Sequence, residues 1–427
     1  MKDAKFLPQL ARSKGVPIRH GRLTHRGPFA AVSFSLLLGF GVLLVSGGAI
    51  AAVAVWDLAS SVKPGVHLNH AGQGDVSDVS AIEGGVNLLL TGTDTRTGQG
   101  AAYSSQADLA GSSGTGNNDV TLLLHISQDH QNVSVISFPR DLMIAVPDCP
   151  LPAGGTAAAS SRVMLNTTLA RGGLPCVVLS IEKLTGVQIP FAAQISFEGV
   201  AAMSDAVGGV DVCVATPIND LYTNPPLHLA AGQHTIVGEE ALSFLRSRHG
   251  VGDGSDLGRI SNQQVFMAAL ARKVEGGGVL ANPITLLSLA KAAMSNMVMS
   301  DTLTNPTTLV QIALALKDTN LTKMVFLQYP TVSDPQDSNR VVPQPTGATM
   351  LNAALVGDKP IQLSGLPGRG AVVAAPADPS PAATGSATPT PATTPTPTTA
   401  PAATADAILP STVTGQTAAE QTCSKGS

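Results

Sequence analysis

Val86-Asn87-Leu88-Leu89-Leu90, closed by Thr91-Gly92-Thr93-Asp94, is the stretch on which the fold turns. Consecutive apolar residues, too few for a helix and ended by turn formers, predict a strand buried on both faces. Val120 to Ser127 and Val133 to Phe138 repeat the pattern. Helical periods follow at Cys176 to Leu184, stopping before Gly186, and at Phe197 to Val207, stopping at Gly208 and Gly209. Val210 to Ala215 returns to strand. Glu239 to Arg248, Arg259 to Glu275, Ile284 to Met294 and Pro306 to Lys317 read as helices, and Met324 to Tyr329 as a strand. Strands and helices alternating in one domain predict an α/β fold, a three-layer α/β/α sandwich with a central mixed sheet.

The flanks differ from this domain in composition. Lys2, Lys5, Arg12, Lys14, Arg19, Arg22 and Arg26 precede an apolar run over 29–55 that is long enough to cross a bilayer as one helix. Basic residues on its N-terminal side place that side in the cytoplasm, and Trp56 sits where an interfacial anchor belongs. A cleaved leader is the alternative, although the run is longer than a leader's apolar core. The chain is therefore expected to divide into a cytoplasmic basic arm over 1–28, a transmembrane helix over 29–55, a stalk over 56–84, a folded domain over 85–360 and a tail over 361–427. The Ala/Pro/Thr-rich tail has too little apolar surface to offset its ordering entropy and is expected to be disordered. The expected location is the cell membrane, crossed once, with the domain outside.

Four cysteines suit that oxidising side, and their spacing has no metal-ligand pattern. Cys149 and Cys176, both in loop-like sequence, are the preferred disulfide. Cys213 and Cys423 either pair across the tail or stay free.

In a chain only 13% charged, with a net charge of −4, Arg246, Arg248 and Arg259 fall in one short stretch. A guanidinium presents a planar fork that meets phosphate or carboxylate oxygens two at a time. Asp253 and Asp256 lie close by, so a solvated charged face is the plain alternative. Polar groups at strand ends tip the balance, because open α/β folds place their sites there. The first strand ends in Thr93, Asp94, Thr95 and Arg96; the second is introduced by Asn117, Asn118 and Asp119; the third ends in Pro139, Arg140 and Asp141. Taken singly, Asp94 is an ordinary turn former and Pro139 to Asp141 an ordinary turn. Together, two acids from neighbouring strands suit Mg2+, which takes one or two protein carboxylates plus water and phosphate oxygens. With arginines facing the same point, phosphoryl transfer at a pyrophosphate is the chemistry expected.

The ordered series Asn87 to Arg96, Asp119 to Ile126, Ser137 to Asp141, Asn166, Phe197-Glu198-Gly199, Val207 to Val214 and Ala241 to Gln264 resembles the LytR-CpsA-Psr proteins of the Gram-positive cell envelope. The likeness runs from Gly85 to Asn282 and more loosely to Leu355, and the Gly/Ala/Pro content points to an actinobacterial type. What the resemblance implies is a membrane-anchored extracellular enzyme that moves a glycopolymer from a polyprenyl-pyrophosphate carrier to peptidoglycan, forming a phosphodiester. It assigns Asp94 and Asp119 to magnesium, and Arg140, Arg246, Arg248 and Arg259 to the pyrophosphate. Gln263 becomes a polar contact and Asp256 the acid that orients an arginine or helps to accept the proton of the incoming hydroxyl. Arg96 and Asn117 are further substrate-binding candidates. The family's lipid tail lies in an apolar tunnel, which Val265 to Leu270 could line; ordinary core packing is the alternative there.

The chain departs from the family at one point: many members have Arg-Ser-Asp-Thr where this chain has Asn117, Asn118, Asp119 and Val120. Asn117 can donate a hydrogen bond, but a charge-assisted bond is about twice as strong. Hydrolysis of polyprenyl pyrophosphate and a non-catalytic regulatory role in the envelope are the alternative functions. Neither a helix-turn-helix pattern nor a basic nucleic-acid patch is present, so nucleic acid is not an expected partner.

Overall fold

The computed structural model describes residues 29, 32–34, 36–42, 63–68, 85–93, 95, 116–276, 282–317, 319–374 and 406–427. Two compact units divide at Trp56. In the first, the described residues between 29 and 42 are helical. Among the described residues no helix is long and apolar enough to cross a membrane, and most of the 29–55 run lies outside them.

The second unit is built on a seven-stranded mixed sheet. Its strands are β1 (Val86–Thr93), β2 (Asn118–Ile126), β3 (Val133–Phe138), β4 (Phe191–Ile195), β7 (Met297–Met299), β8 (Met324–Gln328) and β10 (Gly415–Thr417), in the order β7-β4-β1-β2-β3-β8-β10. A smaller sheet contains β5 (Val210–Thr216), β6 (Gly232–Ile236), β9 (Ala371–Val373) and β11 (Thr422–Lys425), in the order β6-β5-β11-β9. In the large sheet β1 runs antiparallel to β2 and β2 to β3, whereas β4 lies parallel to β1 and β8 parallel to β3.

The continuous apolar runs have the expected cause, since both faces of the sheet are covered. Leu89, Leu123 and Ile136 pair across three strands, and all are fully buried. They belong to a core shared with Val177 and Ile181 of helix α1 (Thr168–Thr185) and with Leu351 and Leu355 of helix α7 (Pro345–Val356). On the opposite face Val135, Leu88, Leu90 and Leu122 pack with Ala268 of helix α4 (Asp256–Gly276) and Ile312 of helix α6 (Pro306–Lys317). Burying each such side chain stabilises the fold by about 1.5–3 kcal/mol.

Helix boundaries differ from the expected ones for local reasons. Helix α1 begins at Thr168, ahead of the expected Cys176, and is broken by non-helical backbone at Gly172 and Gly173. A Cβ at Gly172 would meet the Pro150 carbonyl oxygen at 2.8 Å and the Cys149 and Cys176 Cβ atoms at 2.9 Å. The kink thus lets the chain close on the Cys149–Cys176 disulfide. Helix α2 (Phe197–Ala206) is capped by Ser196, whose Oγ accepts from the Gly199 amide. Helix α3 (Gly238–Arg246) stops two residues before the expected Arg248, because Ser247 leaves helical geometry. Helix α5 (Pro283–Asn296), capped by Asn282, leads into β7.

Two boundaries are corrected. The 361–427 segment is not a disordered tail throughout: 361–363, 371–373, 407–409, 415–417 and 422–425 are strands, while 375–405 lies outside the described residues. Its overall composition conceals short apolar pieces that pair with β8 and β5 and with one another. Leu409 and Val413 are buried in the main core, and β11 inserts between β5 and β9. Cys213 and Cys423, in register on parallel β5 and β11, form the second disulfide. The 56–84 segment is likewise not wholly a free stalk. The Val66 amide donates to the Met299 carbonyl at 2.8 Å, and Leu68 is buried in the core.

Candidate active site

Asp119 follows Asn118 at the start of β2 and Arg140 follows β3, and antiparallel pairing brings these two strand ends together. Arg140 Nη1 donates to Asp119 Oδ1 at 2.7 Å. The Arg140 backbone is fixed on both sides: its amide donates to Asp256 Oδ2 at 3.2 Å, and its carbonyl accepts from the Asn166 amide at 3.0 Å. Burial works to lower the Arg140 pKa, but Asp119, Asp256 and Asp141 together hold it above the ordinary value.

The third component is the start of α4. Asp256, Arg259, Ser261, Asn262, Gln263 and Gln264 are all buried there, an uncommon density of polar side chains away from water. Asp256 Oδ1 pairs with Arg259 Nη2 at 2.6 Å, and Arg259 Nη2 also donates to the Asp119 carbonyl at 2.7 Å. Asp256 therefore orients Arg259 and the Arg140 backbone at once. Gln263 does not reach out as a substrate contact through its amide nitrogen. Gln263 Nε2 donates to the Leu245 carbonyl at 2.9 Å, while Asn262 Nδ2 donates to that of Phe244 at 2.6 Å. These bonds satisfy carbonyls in the last turn of α3, which lack helical partners.

Arg248 is delivered by the loop after α3. Burial lowers its pKa most, Arg140 and then Arg259 add to the effect, and Asp256 and Asp141 oppose it. Arg140 and Arg259 therefore act on Arg248 as like charges. The Nε atoms of all three are buried and make no hydrogen bond. An anion with several oxygens would relieve the repulsion at Arg248. Arg246 is placed differently, with its guanidinium 4.2 Å from the centre of the Phe197 ring as a cation–π contact.

Asp220 was not legible as a site residue. Its Oδ2 accepts from Ser247 Oγ at 2.7 Å and from the amides of Arg248 and Gly250 at 3.1 Å each, and Oδ1 accepts from the Tyr222 amide at 3.0 Å. Burial raises its pKa, but these hydrogen bonds outweigh burial and hold it below the ordinary carboxylate value. Nothing in the local sequence marks Asp220, because its partners lie up to thirty residues away along the chain.

Asp94 and Arg96 lie outside the described residues, and Asn117 is half-buried beside Asn118 on the edge next to Asp119. The Asp119 carboxylate supplies hard oxygens at the mouth of the site and is 21% exposed, which suits a cation that keeps its waters. Among the described residues no group of three His, Cys, Asp or Glu could hold a metal ion. Asp119 alone can thus contribute only part of a ligand set.

The chain is similar to known proteins. The chain is 29% identical over 279 residues to the Cell wall biosynthesis protein LcpA of Corynebacterium glutamicum, covering 61% of this chain and 52% of that protein. It is 26% identical to the Polyisoprenyl-teichoic acid--peptidoglycan teichoic acid transferase TagU of Bacillus cereus, covering 57% of this chain and 71% of that one. It spans about half the length of LcpA and of a second Corynebacterium glutamicum relative, the Probable cell wall biosynthesis protein LcpB, of which 47% is covered. Its fold is similar to that of the LytR-Csp2A-Psr enzyme from Actinomyces oris, with a TM-score of 0.51 and 24% identity over 70% of this chain and 97% of that one. The family pattern covers residues 59–354, which include Asp119, Arg140 and the whole α3–α4 region, and on that match the chain belongs to the LytR_cpsA_psr family.

Proposed function

We propose that this chain is a phosphotransferase that moves a glycopolymer from a polyprenyl-pyrophosphate carrier onto peptidoglycan. The observation that carries the reading is the gathering of Arg140, Arg248 and Arg259 around Asp119 and Asp256, with Arg248 acted on by both other guanidinium groups. In the reaction an acceptor hydroxyl oxygen forms a bond to the phosphorus next to the glycan. The bond from that phosphorus to the bridging oxygen breaks, and its electron pair leaves with polyprenyl phosphate. The hydroxyl proton passes to the departing phosphate or to water, so a phosphodiester and polyprenyl phosphate are the products. Arg248 and Arg259 face the charge that grows on the pyrophosphate oxygens, and low local polarity strengthens that interaction. Asp256 positions Arg259 and Arg140, a role its two contacts support better than that of proton acceptor.

Magnesium, held by Asp119 with Asp94, would neutralise phosphate oxygens during displacement. Asn117, Arg96 and Arg246 are assigned to the substrate. We further assign the 29–55 run to a single membrane anchor with the N-terminus in the cytoplasm and the 57–427 unit outside, which brings the site to a lipid-linked substrate.

Incubating the full chain with lipid-linked glycan and peptidoglycan tests the proposal. Attached polymer and free polyprenyl phosphate are expected, and chelation of divalent cations should abolish both. Arg248→Ala should lower kcat/KM by about 10²–10³-fold. Release of free phosphorylated glycan with no attached product would establish a hydrolase instead. Undiminished attachment by the Arg246→Ala, Arg248→Ala double variant would remove these arginines from the chemistry, and neither attachment nor release of glycan by the unsubstituted chain would point to a non-catalytic role.

A further inference from the structure

Beside the arginine site stands an exposed aromatic pair that phosphate binding does not use. The Tyr222 and His249 rings lie 4.3 Å apart between centroids and are inclined at 40°. Tyr222 is 80% exposed and Leu221 beside it 71%. Of the chain's other tyrosines, Tyr329 is fully buried and Tyr103 lies outside the described residues. An aromatic ring left in water is unremarkable when its segment is loose, but this segment is pinned. Asp220 Oδ1 holds the Tyr222 amide at 3.0 Å, and Thr223 Oγ1 donates to the carbonyls of Asp220 at 3.1 Å and Pro225 at 2.9 Å. The other oxygen of the same carboxylate holds the Arg248 amide at 3.1 Å. His249 follows Arg248 directly, so one carboxylate sets the aromatic corner and the phosphate-facing arginine in fixed relation.

We propose that Tyr222 and His249 form a stacking platform for one pyranose ring, next to the phosphate-binding arginines. The inference rests on the phosphotransferase reading above and adds a sugar subsite to it. A tyrosine face accepts the C–H bonds of a sugar ring, and the phenol hydroxyl and imidazole nitrogens can reach hydroxyls at its edge. Pre-ordering the corner removes the entropy that a loose loop would lose on binding. A protein partner fits the observation less well. Two rings and one leucine fall far short of the roughly 1,200 Å² that a stable protein interface buries. The sugar can come from the lipid-linked donor or from the peptidoglycan acceptor, and both reach the same phosphorus.

The test measures KM for each substrate at saturating levels of the other, using the full chain, a polyprenyl-pyrophosphate-linked disaccharide as donor and a peptidoglycan oligosaccharide as acceptor. Tyr222→Ala should raise one KM about tenfold, the loss expected for one aromatic contact, with a smaller effect on kcat. Tyr222→Phe and Tyr222→Trp should retain most of the affinity. A rise in donor KM identifies the donor sugar, and a rise in acceptor KM the acceptor sugar. If the unsubstituted chain transfers glycan and Tyr222→Ala changes neither KM, the platform is overturned. If the unsubstituted chain transfers nothing, the phosphotransferase reading fails separately. The platform is then judged by the fluorescence of Tyr222→Trp, read above Trp56 during titration with the same two sugars. A saturable change supports it, and no change overturns it.

Discussion

At the scale of single residues, the site depends on carboxylates that hold arginines rather than on arginines alone. Asp256 and Asp220 are both almost fully buried, and each collects donors from separate stretches of chain. Asp220 carries a pH prediction. Its folded pKa lies below the ordinary value of 3.8, so its contribution to stability is complete above that pH and is lost as pH falls through the lower folded value. Asp220→Asn should therefore lower the melting temperature at neutral pH and flatten its decline below about pH 4. Melting curves across that range check this, and an unchanged acid limb would count against Asp220 as the clamp of the Arg248 loop. The arginine-rich stretch and Asp119 were legible because arginine in a charge-poor chain stands out. Asp220 was not, since a single aspartate in a turn has many ordinary explanations. Gln263 was legible as a polar position, whereas the bond its amide nitrogen makes to the Leu245 carbonyl was not, because reach to a backbone carbonyl depends on helix packing.

At the scale of elements, the end of α3 and the start of α4 form one device. The exit of the chain from helical geometry at Ser247 frees Arg248 to turn toward Arg140, while Arg246 stays on the helix against Phe197. A continuous helix through Arg248, which hydrophobic period alone suggests, would place the two arginines two positions apart on one cylinder, facing different ways. Strand β11 supports the same region. Ser424 Oγ donates to Asn262 Oδ1 at 2.6 Å, and the Gly252 amide donates to the Lys425 carbonyl at 2.9 Å. Opening the Cys213–Cys423 bond by Cys423→Ser should cost about 2–5 kcal/mol. Thermal unfolding of the oxidised chain and the variant measures this; equal stability would show that β11 contributes little.

At the scale of the whole molecule, a mixed sheet covered by helices on both faces holds the strand ends together, and the row Leu89, Leu123, Ile136 runs through its centre. Leu123→Ala should destabilise the fold by about 2–5 kcal/mol through lost burial and a residual cavity. Chemical denaturation checks the figure, and a loss below 1 kcal/mol would mean that the row is not the core's centre. The fold class, the strand runs around Val86, Val120 and Val133, the helix stops at Gly186 and Gly208, and the Cys149–Cys176 pair could all be read from the chain. Each rests on local patterning, on apolar runs, turn formers and caps that act within a few residues. The ordered strands beyond residue 361, the second disulfide, the end of α3 and the clamp at Asp220 could not. Each joins residues far apart in sequence, and its stability comes from a surface that exists only once the rest of the chain has folded.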